Sequence, residues 1–210
     1  MDTIRSSQLL LPKVFRVLFL SLLVSLVGFL IGQAVPPVLA MPLYIVEIGL
    51  LIALLFLRKK KSIGYTLMYS FMFVSGLTMY FVIVSYISML GASLVLQGLG
   101  VAILAFGGTA LYAIKSKQDF SFLGGFLFAS TIVLVLMTLV GLFLPYSGTT
   151  ELMVSGFGIL IFIGWTLFDF SRLTRQGFSD EDIPMIVVSI YLDFVNLFLF
   201  ILRFLGASRD

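Results

Sequence analysis

The sequence predicts an all-α polytopic membrane protein with seven transmembrane helices, and three observations carry that reading. Sixty per cent of its 210 residues are hydrophobic and only 11% are charged, a balance outside the usual range of soluble domains. Seven predominantly apolar runs follow one another, several of them uncharged and long enough to cross a bilayer. Lysine and arginine fall only in alternate connections, as expected of a chain whose basic loops stay on one side. Seven spans in 210 residues leave no room for a soluble domain. One transmembrane domain, residues 1–210, is therefore expected, with its function in the bundle or its short loops.

The spans are expected near 14–34, 41–57, 62–88, 92–114, 120–144, 152–170 and 183–205. Span one follows a basic start, and Val38-Leu39-Ala40 resembles a signal-peptide cleavage site. The apolar core is too long for a removable signal, so it is read as a span. Pro36-Pro37 and Pro42 punctuate the first hairpin. Span three is longer than a crossing needs, which calls for tilt or an extended end. Its Phe73-Val74-Ser75-Gly76 and nearby Thr78 read as small residues for close helix packing, as do Gly107-Gly108 and Gly124-Gly125. Gly91 punctuates the third loop, and Pro145 with Gly148 the fifth. Asp180-Glu181-Asp182 reads as the cap and first-turn charge of span seven, with Pro184 at an early helical position. The 22 phenylalanines read mostly as lipid-facing bulk, and Tyr44, Tyr146 and Trp165 as interfacial or packing anchors.

The basic residues give the orientation. Arg5, Lys13 and Arg16 precede span one, Arg58 to Lys61 follow span two, Lys115 and Lys117 follow span four, and Arg172 and Arg175 follow span six. This places the N-terminus in the cytoplasm and the C-terminus outside. Spans one to three and four to six then run in opposite directions, a geometry compatible with an inverted repeat, although the two halves share no sequence similarity.

Neither cysteine nor histidine is present, which removes thiolate chemistry, disulfides and the usual zinc ligands. Any hard-cation site must use carboxylates and carbonyls. No cofactor is implied, and the net charge of +3 marks a basic membrane face rather than a nucleic-acid surface.

Seven of the ten acidic residues fall in loops or termini, Glu151 and Asp180 among them, leaving Glu47, Asp169 and Asp193 within spans. On span seven, Ser189, Asp193, Asn196 and Arg203 follow at offsets of four, three and seven, which puts them on one stripe of an apolar rod. A carboxylate at that depth must face protein or a water-filled cavity, so the other spans are expected to surround this one. Glu47 and Arg203 reach the same outer level and are expected to pair; the plainer reading of such a contact is that it fixes helix orientation. Arg58 and Asp169 both end their spans on the cytoplasmic side. Asp193 lies about 15 Å along span seven, so Asp169 meets it only if span six continues past Arg172 or span seven starts in a vestibule. Two aspartates that meet in a low-dielectric site share a proton and titrate as a pair, while a nearby arginine competes with that proton.

Together, Ile190-Tyr191-Leu192-Asp193-Phe194-Val195-Asn196-Leu197-Phe198, Leu167-Phe168-Asp169 and Phe73-Val74-Ser75-Gly76 resemble the transmembrane Bax inhibitor motif (Bax inhibitor-1-like) family over essentially the whole chain. Within it the sequence looks most like the small bacterial, YetJ-type members. The resemblance implies a seven-helix fold whose last helix is central and wrapped by two three-helix layers. It also implies a pH-sensitive calcium leak governed by an aspartate pair, Asp169 and Asp193, with Arg58 latching Asp169 in the closed state. Glu47 and Arg203 would match a second pair lining the outer pathway, with Ser189 and Asn196 as supporting polar residues. The chain lacks the lysine-rich C-terminal tail of many eukaryotic members.

The leading expectation is thus a passive calcium pathway in a bacterial plasma membrane, with Asp169 and Asp193 as transient calcium ligands and bilayer, calcium and protons as partners. A monomer suffices for it, and protein partners are not written in the sequence. A proton-coupled cation exchanger and a non-conducting scaffold are the alternatives. An intramembrane aspartyl protease is disfavoured, because Asp193 follows Ile190-Tyr191-Leu192 rather than Gly-x-Gly and no later span exists. No lysine in span seven is available for a retinal Schiff base, and no Walker-type loop is found.

Overall fold

The computed structural model describes residues 2–57, 61–116, 118–144 and 146–209. Among them the chain forms seven α-helices and no strand: α1 (Asp2–Gly32), α2 (Ala40–Leu57), α3 (Lys61–Leu90), α4 (Ala92–Lys115), α5 (Gly124–Phe143), α6 (Gly148–Arg175) and α7 (Ile183–Ala207). Each carries a stretch apolar and long enough to cross a membrane. The protein is therefore an integral, all-helical membrane protein.

Local chemistry sets the helix ends. Pro36 and Pro37 follow the end of α1 and lead into a short 3-10 turn, Pro37–Leu39. Pro42 then sits in the first turn of α2, where a missing N–H costs nothing. Pro12 lies inside α1, so that helix starts well before the expected Val14. Gly91 separates α3 from α4 with a φ of 84°, a conformation that favours glycine. Ser147 caps α6: the Thr150 N–H donates to its Oγ at 3.4 Å, and the Glu151 N–H to its carbonyl at 2.9 Å.

The chain divides into two compact units, Met1–Tyr86 with Gln176–Tyr191 and Ile87–Arg175 with Leu192–Asp210. The first holds α1, α2 and α3 as far as Tyr86, the second holds α4, α5 and α6, and α7 is divided between them after Tyr191. In the span of α7, 56% of residues are buried, against 6% in the span of α2.

In the first unit, α1 and α3 touch backbone to backbone. A side chain at Gly28 would meet the Phe73 carbonyl, and one at Gly76 would meet the Ser25 carbonyl. Around this contact Ser21, Met68, Phe71, Met72, Val187 and Val188 are buried. In the second unit, α6 lies against both α4 and α5. Gly98 admits the Leu202 side chain, Gly158 the Phe200 ring and Gly164 the Leu127 side chain. Phe106 stands edge-on to Phe170 and Phe194, with ring centroids 5.8 and 5.5 Å away.

Gly76 thus packs as expected, and Gly124 meets the Phe168 ring, but Gly107, Gly108 and Gly125 have nothing within 4 Å of a would-be side chain. Those three glycines do not serve helix packing. The phenylalanines also divide more evenly than expected: Phe71, Phe120, Phe162, Phe170 and Phe198 are core, while Phe19, Phe56, Phe126, Phe128 and Phe143 are exposed on the apolar surface. Tyr146 and Trp165 are packing anchors, donating to the Met137 carbonyl at 2.7 Å and to the Thr131 hydroxyl at 2.8 Å.

Candidate functional site

Within the second unit, the sequence motif around Asp193 becomes a buried acid. Asp193 is 4% exposed, and among the described residues its Oδ2 has no hydrogen-bond partner. A buried carboxyl oxygen without a partner is costly, so it marks a place where something other than folding stability is served. Its charged neighbour is Asp169, on α6 of the same unit. The sequence left two conditions for this approach, a span six that runs on past Arg172 or a span seven that starts in a vestibule. The helix continues to Arg175, five residues beyond the expected end.

That extension is held by tertiary bonds. Ser171 Oγ accepts the Phe120 N–H at 3.2 Å, and Arg175 donates to the Ser116 carbonyl. Arg172 stands over the Phe168 ring, 5.2 Å from its centroid. Arg58, expected to latch Asp169, lies outside the described residues. Of the supporting residues, Asn196 Nδ2 donates to its own helix at the Leu192 carbonyl, 2.8 Å away. Ser189 is half-buried on the stripe four residues before Asp193.

At the other end of α7, Arg203 holds a carboxylate that the sequence had left in a loop. Its Nη2 donates to Glu151 Oε2 at 2.9 Å and its Nε to Glu151 Oε1, a bidentate pair. Glu151 is in reach because the polar run Gly148-Thr149-Thr150 belongs to α6 once Ser147 caps it, which brings Glu151 into the first helical turn. Glu47, the partner that the sequence suggests for Arg203, belongs to the first unit, where it accepts a hydrogen bond from Thr78 Oγ1 at 2.7 Å.

Thr78 belongs to a polar network in the first unit that the sequence reading took for packing alone. The Tyr191 hydroxyl lies 3.1 Å from Ser25 Oγ on α1 and 3.0 Å from Ser75 Oγ on α3, with the Phe71 ring edge-on at 6.2 Å. Thr78 Oγ1 also reaches the Ser75 carbonyl at 3.0 Å. The signal that could have found this network is the pairing of each serine with a close-packing glycine, Ser25 with Gly28 and Ser75 with Gly76. Elsewhere in this unit Asp180 pairs with Lys13 and accepts from the Tyr65 hydroxyl at 3.4 Å. Of the acidic run expected to cap α7, Asp182 accepts the Ser179 N–H at 2.9 Å and the Ser179 hydroxyl at 2.8 Å, bonds that fix the turn before the helix.

No cluster of three acidic side chains able to hold a metal occurs among the described residues. The arrangement offers instead a buried acid, Asp193, within the electrostatic reach of half-buried Asp169, a bidentate ion pair and a string of hydroxyls.

Comparison with known proteins follows the same residues. A family model described as inhibitor of apoptosis-promoting Bax1 matches residues 7–210. Protein lifeguard 4 of mouse is 32% identical over 206 residues, covering 94% of this chain and 84% of its own. The Golgi anti-apoptotic protein of vaccinia virus (strain Lister) is 34% identical over 173 residues, 82% of this chain and 70% of its own. An uncharacterized protein of Helicobacter pylori (strain ATCC 700392 / 26695) is 31% identical over 194 residues, 90% of this chain and 83% of its own.

Proposed function

Because the chain belongs to the transmembrane Bax inhibitor motif (Bax inhibitor-1-like) family, we propose that it is a pH-sensitive calcium leak gated by the Asp169 and Asp193 pair. Members of this family are membrane regulators rather than catalysts, so no reaction is assigned. The observation that carries the proposal is the buried Asp193, with an unpartnered Oδ2 and Asp169 as its charged neighbour. Two carboxyls in a low-dielectric site do not both ionise cheaply. They share a proton, titrate together, and give the protein two states that pH selects.

The path is closed when the pair holds its proton at lower pH or when Arg58 latches Asp169, the guanidinium and the proton competing for the same carboxyl. When the pair ionises, α2 moves and a path opens along α7, and the acid oxygens offer calcium transient ligands. Glu47 and Arg203 line the outer part of this path, with Ser189 and Asn196 as supporting polar groups. The alternation of basic loops supports a cytoplasmic N-terminus and an outside C-terminus in a bacterial plasma membrane. The span-seven motif around Asp193 supports a place among the small bacterial, YetJ-type members. The whole of it acts as one membrane domain, sufficient as a monomer.

Calcium flux into proteoliposomes between about pH 5 and 8 tests the proposal, with substitutions at the carboxyls themselves. Asp169→Asn and Asp193→Asn should each alter the pH response, and Asp180→Asn, outside the pair, should not. If all three behave alike, the acid pair is not the gate. A flux driven by voltage without counter-transport favours the leak over a proton-coupled exchanger, which the same shared proton would suit. No flux at any pH from folded protein would leave a non-conducting membrane regulator.

A further inference from the structure

Resting on the reading above that the protein passes hard cations, we infer that Glu47 and Thr78 form a second, transient coordination station for calcium in the first unit, with the Ser75 carbonyl taking the Thr78 proton when the ion binds. Glu47 is half-buried within α2, where a carboxylate is expensive unless it is compensated. Three oxygen-bearing side chains interact with it: Thr78 on α3 donates to it at 2.7 Å, and the phenols of Tyr44 on α2 and Tyr191 on α7 lie within its electrostatic reach. Ser75 and Thr78 are 2% and 3% exposed, so their oxygens face the protein interior rather than lipid.

The chemistry turns on a single proton. The Thr78 hydroxyl has one hydrogen and two acceptors in reach, Glu47 Oε2 at 2.7 Å and the Ser75 carbonyl at 3.0 Å. With no cation present the proton goes to the carboxylate, the stronger acceptor. When calcium approaches Glu47, the hydroxyl rotates its proton onto the Ser75 carbonyl and turns its lone pairs toward the ion. One group therefore stabilises the empty carboxylate and ligates the filled one, with no side chain displaced. A single carboxylate with neutral oxygens holds calcium weakly, because affinity follows the count of charged ligands. Weak binding is what conduction requires of a site along a path.

Terbium(III) bound to the purified protein provides a readout independent of flux, because Tyr44 and Tyr191 lie near enough to Glu47 to sensitise its emission. Tyrosine excitation should give saturable terbium emission that calcium competes away. Glu47→Gln, which keeps an acceptor for Thr78, should abolish the Glu47 component. Thr78→Val should weaken apparent terbium and calcium affinity about tenfold, as expected for the loss of one bond to a charged group, and Thr78→Ser should restore it. Emission unchanged by Glu47→Gln and Thr78→Val in folded protein, or no saturable emission at all, overturns the station. Intact terbium binding without calcium flux would instead overturn the leak and leave the station standing.

Discussion

Two polar residues two positions apart on α7 meet opposite fates. Tyr191, in the first unit, has two serine hydroxyls about its own at 3.1 and 3.0 Å. Asp193, in the second, keeps an oxygen with no hydrogen-bond partner among the described residues. Both are 4% exposed, so burial alone does not separate them. What separates them is satisfaction: a buried hydroxyl with fixed partners holds helices together, whereas a buried acid left incomplete and placed by another acid is poised to change state.

The contrast is sharpest when each residue is stripped of its chemistry in turn. Asp193→Asn should remove the pH response of calcium flux while leaving the melting temperature in detergent unchanged or raised, because no described bond to Oδ2 is lost. A protein that melts earlier and keeps its pH response would break the comparison. Gly76→Ala should be the most destabilising change in the Tyr191 region, about 2–3 kcal/mol, because the new methyl group meets the Ser25 backbone. Gly107→Ala, with nothing within 4 Å, should be neutral or stabilising by up to about 1 kcal/mol through helix propensity. Thermal melts of the pair check this directly.

Tyr191→Phe removes both serine contacts and should cost about 1 kcal/mol, measured by the same melts, with the pH at which flux switches left in place. The smallest effect lies outside the membrane. The Ser121 hydroxyl, then the Ser121 N–H at 2.9 Å, hold the Asp119 carboxyl below its ordinary range. Because the shift is downward, its small stabilisation is present above the unfolded pKa and is lost as pH falls through the folded value. Ser121→Ala should move the Asp119 titration upward, read by NMR.

Hydropathy and basic-loop alternation made all seven spans legible, because the bilayer requires length and apolarity of each. Helix ends beyond the bilayer were not. Ser171-Arg172-Leu173-Thr174-Arg175 reads as a loop, yet it is helical where Ser171 and Arg175 bond to the α4–α5 connection. Glu151 was missed for a similar reason, since its place depends on the cap at Ser147. In the second unit Asp193 was readable because a carboxylate stands out in an apolar run. In the first unit the Tyr191 network was not, because Ser25 and Ser75 look the same in sequence whether they merely allow close packing or also bond a phenol.

The central claim is that Asp169 and Asp193 share a proton whose loss opens the path. Infrared difference spectroscopy of the reconstituted protein, titrated between about pH 5 and 8 across the range in which a perturbed carboxyl pair can titrate, reads that proton through the carbonyl stretch of a protonated carboxyl. A band that disappears over the pH range in which flux rises, and is absent from both Asp169→Asn and Asp193→Asn, is the predicted result. Flux that switches while the band stays constant, or a band that survives both substitutions, would contradict it.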